Sequence, residues 1–408
     1  MANKTFDVVV WGATGFTGRL VTEYLFKTYG IDGDLKWAIA GRNQTKLAQL
    51  KQDIAGDSPL PIIIADSDDV SSLRELVTST RSVCTTVGPY ALYGTHLVAL
   101  CSELGTHYCD LTGELPWMRQ IIDDYGSTAE KSGARIVHNC GFDCIPSDLG
   151  TYFVQSEMFK RHGVYATQVK FRVAGSSGGA SGGTIASMMN IMEQAKKDPS
   201  IFELMADPYA LNPLNLPRGD DGGDQTGARY DPDFGQWTGP FVMAGINTRV
   251  VRRSHALMDY PWGREFRYDE TVLTGRGPAG FLKAALLVAA TAMIVGAMVF
   301  APTRKLLSRI VPAPGEGPSR EAIESGYFKI ELLALHPEDA SKNIKAVVTG
   351  DRDPGYGATS KMIAESAICL ARDDLTTPTG VLTPSVAMGP TLLDRLIQNA
   401  GMSFTIVE

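Results

Sequence analysis

Over the first 150 residues, short apolar runs alternate with segments of helical periodicity. The apolar runs are rich in Val, Ile and Ala, and their length is typical of strands that are buried on both faces of a sheet. These predicted strands are 6–11, 35–40, 61–65, 82–87, 106–111 and 134–139. Helical segments follow the first two of them, at 19–28 and 46–51. Strands that alternate with helices predict a parallel, doubly wound sheet with right-handed crossovers.

Beyond residue 150, several runs alternate apolar with polar residues, as strands do in a sheet with one solvated face. The strand-like runs are 168–174, 241–252, 266–273, 327–336 and 344–349. Residues 207–239 are rich in Pro, Gly and Asp, and they predict a long loop that wraps over a cleft. Two further segments with apolar helical periodicity, 361–372 and 391–399, predict helices near the end of the chain.

One block of the chain is far more apolar than the rest. Residues 284–301 contain a single polar residue, Thr291, and reach the length of a transmembrane candidate. Basic residues flank the block on both sides, so charge gives no orientation. A single crossing would separate the strands predicted before and after the block, and it is excluded if these strands share one sheet. The region 280–311 is then expected to attach to one face of a membrane or lipid surface, or to pack in the core of the protein or of a homodimer.

Composition limits the classes of protein further. The 408 residues are 44% hydrophobic and 20% charged, which fits two or three domains with a sizeable core. Lys and Arg number 38 against 45 Asp and Glu, a balance that argues against a nucleic-acid partner because phosphate binding needs a basic stripe. The six cysteines form no Cys-x-x-Cys pair and the N-terminus lacks the features of a signal peptide, so we expect a cytoplasmic protein.

The cysteines raise one alternative, a zinc site. His107 and His138 lie close in sequence to cysteines that could serve as ligands, namely Cys101, Cys109, Cys140 and Cys144. Cys84, Cys109 and Cys140 lie on or beside predicted strands, where small apolar residues are expected, whereas zinc sites typically pair their cysteines two to four residues apart on loops. We therefore expect no metal.

Three glycines follow the first predicted strand, where the backbone turns into a helix. At this turn glycine lets the backbone approach a pyrophosphate, and the amides at the helix N-terminus face the anion. The spacing therefore predicts a dinucleotide-binding loop, with a ligand-free tight turn as the alternative. The residues expected to line the loop are Gly12, Thr14, Gly15, Phe16, Thr17 and Gly18.

The end of the second predicted strand indicates which dinucleotide binds. An acidic residue there would bind the ribose 2′-hydroxyl of NAD, whereas an arginine accommodates the 2′-phosphate of NADP. This chain has Arg42, followed by Asn43 and Lys46. We therefore predict NADP(H), with a solvated loop arginine as the alternative. Asp66 is expected at the adenine edge, and the Gly88-Pro89 dipeptide under the nicotinamide ribose.

Transfer of a hydride to a polarised C=C or C=O bond leaves negative charge on an oxygen, which a positioned donor must stabilise or protonate. Candidate donors follow the fourth and sixth predicted strands, where doubly wound sheets bind their ligands. The candidates are Tyr90, Tyr93 and Asp143. The structural alternative is packing for Tyr93 and helix capping for Asp143.

The substrate is expected beside these donors. Asp110, Glu114 and Ser147 follow the fifth and sixth predicted strands and are candidate substrate contacts. A second glycine-rich segment, 175–184, precedes a helix predicted to begin at about Thr184. Its exposed amides could bind a carboxylate, a thioester oxygen or a phosphate of the substrate. Gly182, Gly183 and Thr184 are the residues expected there, with a flexible loop as the alternative.

Several motifs together resemble those of the saccharopine dehydrogenase-like oxidoreductases. They are GATGFTG at 12–18, AGRN at 40–43, VGPYALYG at 87–94, YCDLTGE at 108–114, GFDCIPSD at 141–148 and TPSVAMG at 383–389. Within this family the chain is most similar to the trans-acting enoyl reductases of mycobacterial lipid synthesis and to their eukaryotic relatives.

The resemblance implies an α/β protein of three parts. Residues 1–150 would form an NADP-binding Rossmann domain. Residues 151–350 would form an α+β substrate and dimerisation domain with a mixed or antiparallel sheet and an apolar helical insertion at 278–312. Residues 351–408 would return to the Rossmann domain. The lipid-droplet association that the resemblance implies for the eukaryotic relatives favours peripheral attachment to a lipid surface.

The expected function is NADP-dependent reduction of an enoyl or carbonyl group on a lipid-linked or acyl-thioester substrate. One alternative is a saccharopine-type amino-acid dehydrogenase, whose multiply carboxylated substrate would need several convergent arginines. The candidates for such a role are Arg172, Arg249, Arg252 and Arg253. Another alternative is a non-catalytic NADP-binding scaffold at a lipid surface.

Overall fold

The structure is a computed structural model that describes residues 4–178, 182–299, 303 and 317–407. Its strands are β1 (Phe6–Trp11), β2 (Trp37–Gly41), β3 (Ile62–Ile64), β4 (Thr80–Thr85), β5 (His107–Cys109), β6 (Arg135–Val137), β7 (Gln168–Ser177), β8 (Arg229–Asp231), β9 (Gln236–Pro240), β10 (Arg267–Gly275), β11 (Tyr327–Leu335), β12 (Ile344–Gly350), β13 (Gly380–Leu382) and β14 (Met402–Val407). Among the described residues they form two seven-stranded sheets.

Helices cover both sheets. They are α1 (Phe16–Tyr29), α2 (Gln44–Ala55), α3 (Val70–Ser79), α4 (Tyr90–Tyr93), α5 (Thr95–Leu104), α6 (Leu115–Ser132), α7 (Ile145–His162), α8 (Gly182–Lys197), α9 (Ser200–Ala206), α10 (Ala244–Leu257), α11 (Gly277–Val299), α12 (Arg320–Glu324), α13 (Thr359–Arg372) and α14 (Pro384–Asn399). A 3₁₀ turn lies at Ala340–Lys342, and a π-helical turn lies at Pro354–Ala358.

The first sheet is parallel throughout, in the order β13-β6-β5-β4-β1-β2-β3. In β1, Val8 and Val10 face one hydrophobic core while Val9 and Trp11 face another. Neighbouring residues of a strand point to opposite faces, so a strand that is covered on both sides is apolar at every position. The predicted doubly wound sheet is therefore confirmed.

The second sheet is mixed, in the order β14-β12-β11-β7-β10-β9-β8. β7 and β10 pair in parallel and the other neighbours are antiparallel. Along β11, Phe328, Ile330 and Leu332 are buried while Lys329 between them is exposed. This alternation follows from a sheet with one face covered by α7 and α10. The expected second, mixed sheet is confirmed.

Two details of the sequence interpretation are wrong. Residues 241–252 do not form a strand but lie largely in α10, most of whose residues are buried. Its polar residues lie inside the protein and are paired there, so polarity along this segment does not mark a solvated face. The supposed loop 207–239 contains β8 and most of β9, which form an antiparallel hairpin at the sheet edge.

The last part of the chain contributes to both sheets. β13 pairs with β6 in the first sheet, whereas β14 pairs with β12 in the second. The helix between these strands, α14, packs on α13 and α7. The preceding helix, α13, packs on α1 and β4. The segment from β13 to β14 thus contributes a strand to each sheet. The domain boundaries at residues 150 and 350 stay predictions.

The apolar block 284–301 begins within α11, and its residues 300 and 301 lie outside the described residues. Most of the predicted insertion 278–312 beyond Val299 lies outside them as well. Among described helices, Gly277–Ala297 is long and apolar enough to cross a membrane. Over this range only Gly280 and Ala284 are buried, so the helix is not part of the core of this chain. Its first turns pack on β9 and β10, with the Trp237 and Phe281 rings 4.8 Å apart.

Candidate active site

The dinucleotide loop connects β1 to α1. The Gly12 amide donates to the carbonyl of Ala40 on β2 at 3.0 Å, and Gly12 has a φ of +86°, which favours glycine. A Cβ on Gly18 would lie 2.1 Å from the Gly12 carbonyl oxygen, so the start of α1 can approach the loop only without a side chain there. Gly12 and Gly18 are therefore required by the shape of the loop itself.

The first turn of α1 is suited to a pyrophosphate. Its N-cap residue, Gly15, supplies no side-chain hydrogen bond, whereas α2 is capped by Asn43 and α3 by Asp69. Thr14 and Gly15 are exposed. Unpaired amides at a helix N-terminus bind anions, so this turn fits the phosphates of NADP(H) and the two neighbouring turns do not.

The residues predicted for the adenosine end of the site follow β2 and β3. Arg42 is exposed at the end of β2 and makes no ion pair with the described residues, so its guanidinium is free to bind a 2′-phosphate. The Asn43 side chain accepts from the Lys46 amide at 2.9 Å, which gives Asn43 a capping function. Asp66 follows β3, half-buried, and accepts from the Asp68 amide at 3.1 Å.

The loop after β4 passes through Gly88 and Pro89 into the four-residue helix α4. Tyr90 at its start is buried, stacks on Trp117 and accepts from the Leu111 amide at 3.2 Å. Burial raises the pKa of Tyr90 well above its ordinary value. Tyr93 is 41% exposed, and its hydroxyl makes no hydrogen bond with the described residues. Of the two tyrosines, Tyr93 is the one whose hydroxyl can reach a ligand.

Asp110, after β5, organises the next loop. Its carboxylate is fully buried and accepts from the Tyr108 hydroxyl and from the amides of Thr112 and Asn139. The Nδ1 atom of His138 lies 2.7 Å from the same carboxylate. These contacts hold the loops after β5 and β6 together. They occupy the Asp110 carboxylate with partners inside the protein.

Glu114 is likewise used inside the protein. Its carboxylate is 1% exposed and accepts from the amides of Tyr90 and Ala91 at 2.8 and 3.0 Å. It also accepts from the Ser187 hydroxyl of α8 at 2.8 Å. Glu114 therefore connects the Gly88-Pro89 loop to an insertion of the second sheet.

Asp143 precedes α7 and Ser147 lies in its first turn, on the connection from β6 of the first sheet to β7 of the second. Asp143 makes no hydrogen bond or ion pair with the described residues, and burial raises its pKa to about 6. The Ser147 hydroxyl is buried beside the Glu270 carboxylate and the Tyr268 hydroxyl. Burial raises the pKa of Glu270 to about 7, although hydrogen bonds from Tyr268 and Asn247 act in the opposite direction.

The second glycine-rich segment is only partly described. Residues 179–181 lie outside the described residues, and α8 begins at Gly182, two residues before the predicted start. Gly182, Gly183 and Thr184 form its first turn. The roles predicted for all site residues stay predictions; the structure gives their positions and partners.

Two residues at the site had no predicted role. Ser187 contacts Glu114, but no sequence pattern distinguishes it from other helical serines. His138 entered only through the zinc alternative, yet it pairs with Asp110 and its Nε2 atom is buried without a partner among the described residues. Its position just after a strand was the available signal. The described residues contain no group of three His, Cys, Asp or Glu side chains that could hold a metal.

Comparison with known proteins gives a consistent result. Residues 8–137 match the saccharopine dehydrogenase NADP binding domain. A trans-acting enoyl reductase of Mycobacterium ulcerans is 37% identical over 410 residues, with 97% of each chain covered. A trans-acting enoyl reductase of Mycobacterium tuberculosis is 36% identical over 420 residues, with 97% of this chain and 96% of that protein covered.

Among solved structures, the chain is similar to apo saccharopine dehydrogenase (L-Glu forming) of Saccharomyces cerevisiae. The TM-score is 0.52 and the sequence identity 11%, with 98% of this chain and 99% of that chain covered. At this identity the likeness shows a common fold.

Proposed function

The chain belongs to the trans-acting enoyl reductases within the saccharopine dehydrogenase-like oxidoreductases, and from this premise we propose that it reduces an enoyl or carbonyl group of an acyl-thioester or lipid-linked substrate. That it is an NADP-dependent oxidoreductase follows from the family, and the loop geometry at Gly12, Gly18 and Arg42 is compatible with it. The substrate is the proposal.

The pairing of the buried arginines supports this substrate over a multiply carboxylated one. Arg172 binds Asp231 and Asp269, Arg249 binds Asp224, Arg252 binds Asp221, and Arg253 donates to the carbonyls of Leu211 and Val381. A substrate carboxylate would have to displace these partners and leave buried groups unpaired, which is costly. A saccharopine-type substrate therefore finds no free arginine among these four.

The chemistry divides between cofactor and protein. Held at the loop after β1 and at Arg42, NADPH would supply a hydride for the β-carbon of the enoyl group, and the thioester oxygen would take up the negative charge. The protein must then deliver a proton to the α-carbon. Among the candidate donors, the Tyr93 hydroxyl and the Asp143 carboxyl make no hydrogen bond with the described residues, and either could carry this proton. Because burial raises the pKa of Asp143 to about 6, its protonated form is available near neutral pH.

A lipid surface is the proposed location of the reaction. α11 exposes Leu286, Met293, Ile294 and Val295, and Met293 is 73% exposed. With about 3.6 residues per turn, the directions of these four side chains span roughly 200°, slightly more than half of the helix circumference. One partner helix would cover a single stripe, whereas lipid surrounds a helix. Aromatic rings cluster where α11 begins, with Trp237 packed against Phe281, and such rings favour the membrane interface.

The topology limits how the helix can meet that surface. β10 precedes α11 and β11 follows it, and both lie in the second sheet. The chain must therefore return to the side from which it left. We propose that the region enters one face of a membrane or lipid monolayer without a net crossing. A homodimer contact through α11 is the second candidate.

The activity is tested by NADPH oxidation with short and long enoyl thioesters, with saccharopine and NADP in a parallel reaction. Oxidation with the enoyl thioesters supports the proposal. Turnover of saccharopine alone, or NADPH binding without any oxidation, contradicts it. Asp143→Asn and Tyr93→Phe identify the proton donor, since the variant that lacks the donor loses most of kcat while NADPH still binds.

Lipid attachment is tested by flotation with vesicles that contain anionic lipid. Met293→Glu should reduce partitioning by about a hundredfold, because burial of such a side chain is favourable by about 1.5–3 kcal/mol and a buried charge is costly. Leu214→Glu is the matched control, since Leu214 is 83% exposed outside the helix. A wild-type protein that stays with the soluble fraction as a dimer, and becomes monomeric on Met293→Glu, would support the second candidate instead.

A further inference from the structure

One buried carboxylate connects the two halves of the proposed site. Glu114 accepts from the amides of Tyr90 and Ala91 through its two oxygens, and from the Ser187 hydroxyl through Oε1. We call these three hydrogen bonds the Glu114 clamp. They join the loop after β4, the start of α6 and the helix α8.

At the clamp, α8 lies close to the loop after β4. A Cβ on Gly88 would lie 3.8 Å from the Ser187 hydroxyl oxygen, so α8 lies directly against the loop expected beneath the nicotinamide ribose. Glu114 is 1% exposed, and hydrogen bonds to a buried carboxylate are stronger than those between neutral groups. The loss of one of them leaves a buried acceptor with fewer partners.

α8 itself belongs to an insertion between β7 and β8 of the second sheet. It packs against α9 and against the exposed apolar helix α11. Its first turn carries Gly182, Gly183 and Thr184, the predicted substrate contacts. The clamp is thus a direct polar link from this insertion to the cofactor loop of the first sheet.

We propose that Glu114 and Ser187 are positioning residues, and that the clamp couples NADPH binding at the loop after β4 to the placement of α8 over the substrate. This deepens the proposed function, on which its kinetic part rests. NADPH bound against this loop would restrict its motion, and Glu114 and Ser187 would pass that restriction on to α8. Substrate binding then benefits from a helix that is already positioned.

The coupling can be measured without any substrate. Hydrogen exchange of the α8 amides is compared with and without NADPH in the wild type, Ser187→Ala, Ser187→Thr and the control Ser156→Ala, which removes an exposed helical hydroxyl elsewhere. NADPH should slow exchange in α8 about tenfold in the wild type, in Ser187→Thr and in Ser156→Ala, and less than about twofold in Ser187→Ala. Equal protection in all four proteins would overturn the proposal.

Kinetics supply the second measurement. Ser187→Ala should raise KM for an enoyl thioester about tenfold with little change in the Kd of NADPH, whereas Glu114→Gln should weaken both because it also alters the loop. Equal losses in both constants for Ser187→Ala would mean a purely structural role and would overturn the proposal. If the wild type oxidises no NADPH with any enoyl thioester, the proposed function fails, while hydrogen exchange still decides on the clamp.

Discussion

The two sheets carry their functional groups in different ways. The first sheet has them at the carboxyl ends of its strands, in the short connections after β1, β2, β4, β5 and β6. The second sheet contributes through insertions between its strands, with α8 after β7 and α11 after β10. A parallel sheet brings its strand ends to one edge, so short loops suffice there. A mixed sheet has no such edge, and its contribution depends on where the insertions pack.

The difference extends to charge. At the edge of the first sheet, Arg42 has no partner among the described residues and the first turn of α1 lacks a side-chain cap. In the half of the molecule that is built on the second sheet, Arg172 and Arg252 are buried in ion pairs. The first half thus keeps charged and polar groups available for a ligand. The second half uses its charges to hold itself together and leaves apolar surface uncovered.

The largest effect is expected at the loop of the first sheet. Gly18→Ala places a Cβ 2.1 Å from the Gly12 carbonyl oxygen, so the loop must distort, and the Kd of NADPH should rise about a hundredfold. In Gly296→Ala, on α11, the new Cβ meets no atom within 4 Å. Fluorescence titration with NADPH measures both variants. If NADPH affinity falls to a similar extent in Gly18→Ala and Gly296→Ala, cofactor binding does not depend specifically on the loop of the first sheet.

A buried carboxyl in the second half should give a pH-dependent effect on stability. Burial raises the pKa of Glu270 to about 7 from 4.5, so the folded protein retains the proton where the unfolded chain loses it. This contribution to stability is present below pH 4.5 and is lost as pH rises through 7. Between pH 5 and pH 8 it should decrease by about 2–3 kcal/mol.

Glu270→Gln removes this titration, so the variant should gain stability relative to the wild type as pH rises. Calorimetric unfolding at pH 5 and pH 8 measures the difference between the two proteins. Asp53→Asn is the control, because the pKa of Asp53 on the exposed surface of the first half is lowered by its hydrogen bonds to Gln49 and Arg19. A constant difference between Glu270→Gln and the wild type would contradict the buried, protonated state.

Cofactor selection should depend on the free arginine of the first sheet. Arg42→Gln removes the guanidinium expected at the 2′-phosphate, so the Kd of NADPH should rise about tenfold relative to that of NADH. Arg74→Gln is the control, since Arg74 is half exposed and lies 3.5 Å from Glu103. An unchanged preference for NADPH in Arg42→Gln would place the 2′-phosphate elsewhere.

The smallest effect is expected at the neighbouring cap. Asn43→Ala removes the acceptor of the Lys46 amide, and the free energy of unfolding should fall by about 1 kcal/mol. Asn43→Ser retains an acceptor and should recover most of this loss. Equilibrium unfolding of both variants checks the result. If Ala and Ser are equally stable, the helix does not depend on its cap.

Sequence patterns predicted the first half well because its signals are local. A run such as Val8-Val9-Val10 indicates a strand covered on both faces, and the spacing of Gly12, Gly15 and Gly18 follows from the geometry of one turn. The same approach was wrong for 241–252. That segment lies largely in helix α10, where its arginines find carboxylate and carbonyl partners inside the protein, and such pairing depends on distant residues.

In the candidate site too, sequence patterns predicted the positions of residues but not their partners. Tyr90, Asp110 and Glu114 were selected for their positions after strands, and they do lie there, but the structure shows their polar groups engaged with the protein itself. Tyr93 and Asp143 have no such partners among the described residues. Ser187 was missed, because its partner Glu114 is 73 residues away in the sequence.

The sequence alone therefore determined the dinucleotide loop, the NADP preference and the apolar character of α11, since each depends on a few neighbouring residues. Tertiary structure decided that the buried arginines are paired, that Glu114 binds Ser187, and that α11 is left outside the core between two strands of one sheet. These outcomes depend on which distant groups meet after folding. Hydrogen bonds and ion pairs act only at short range, so the order of residues along the chain does not reveal them.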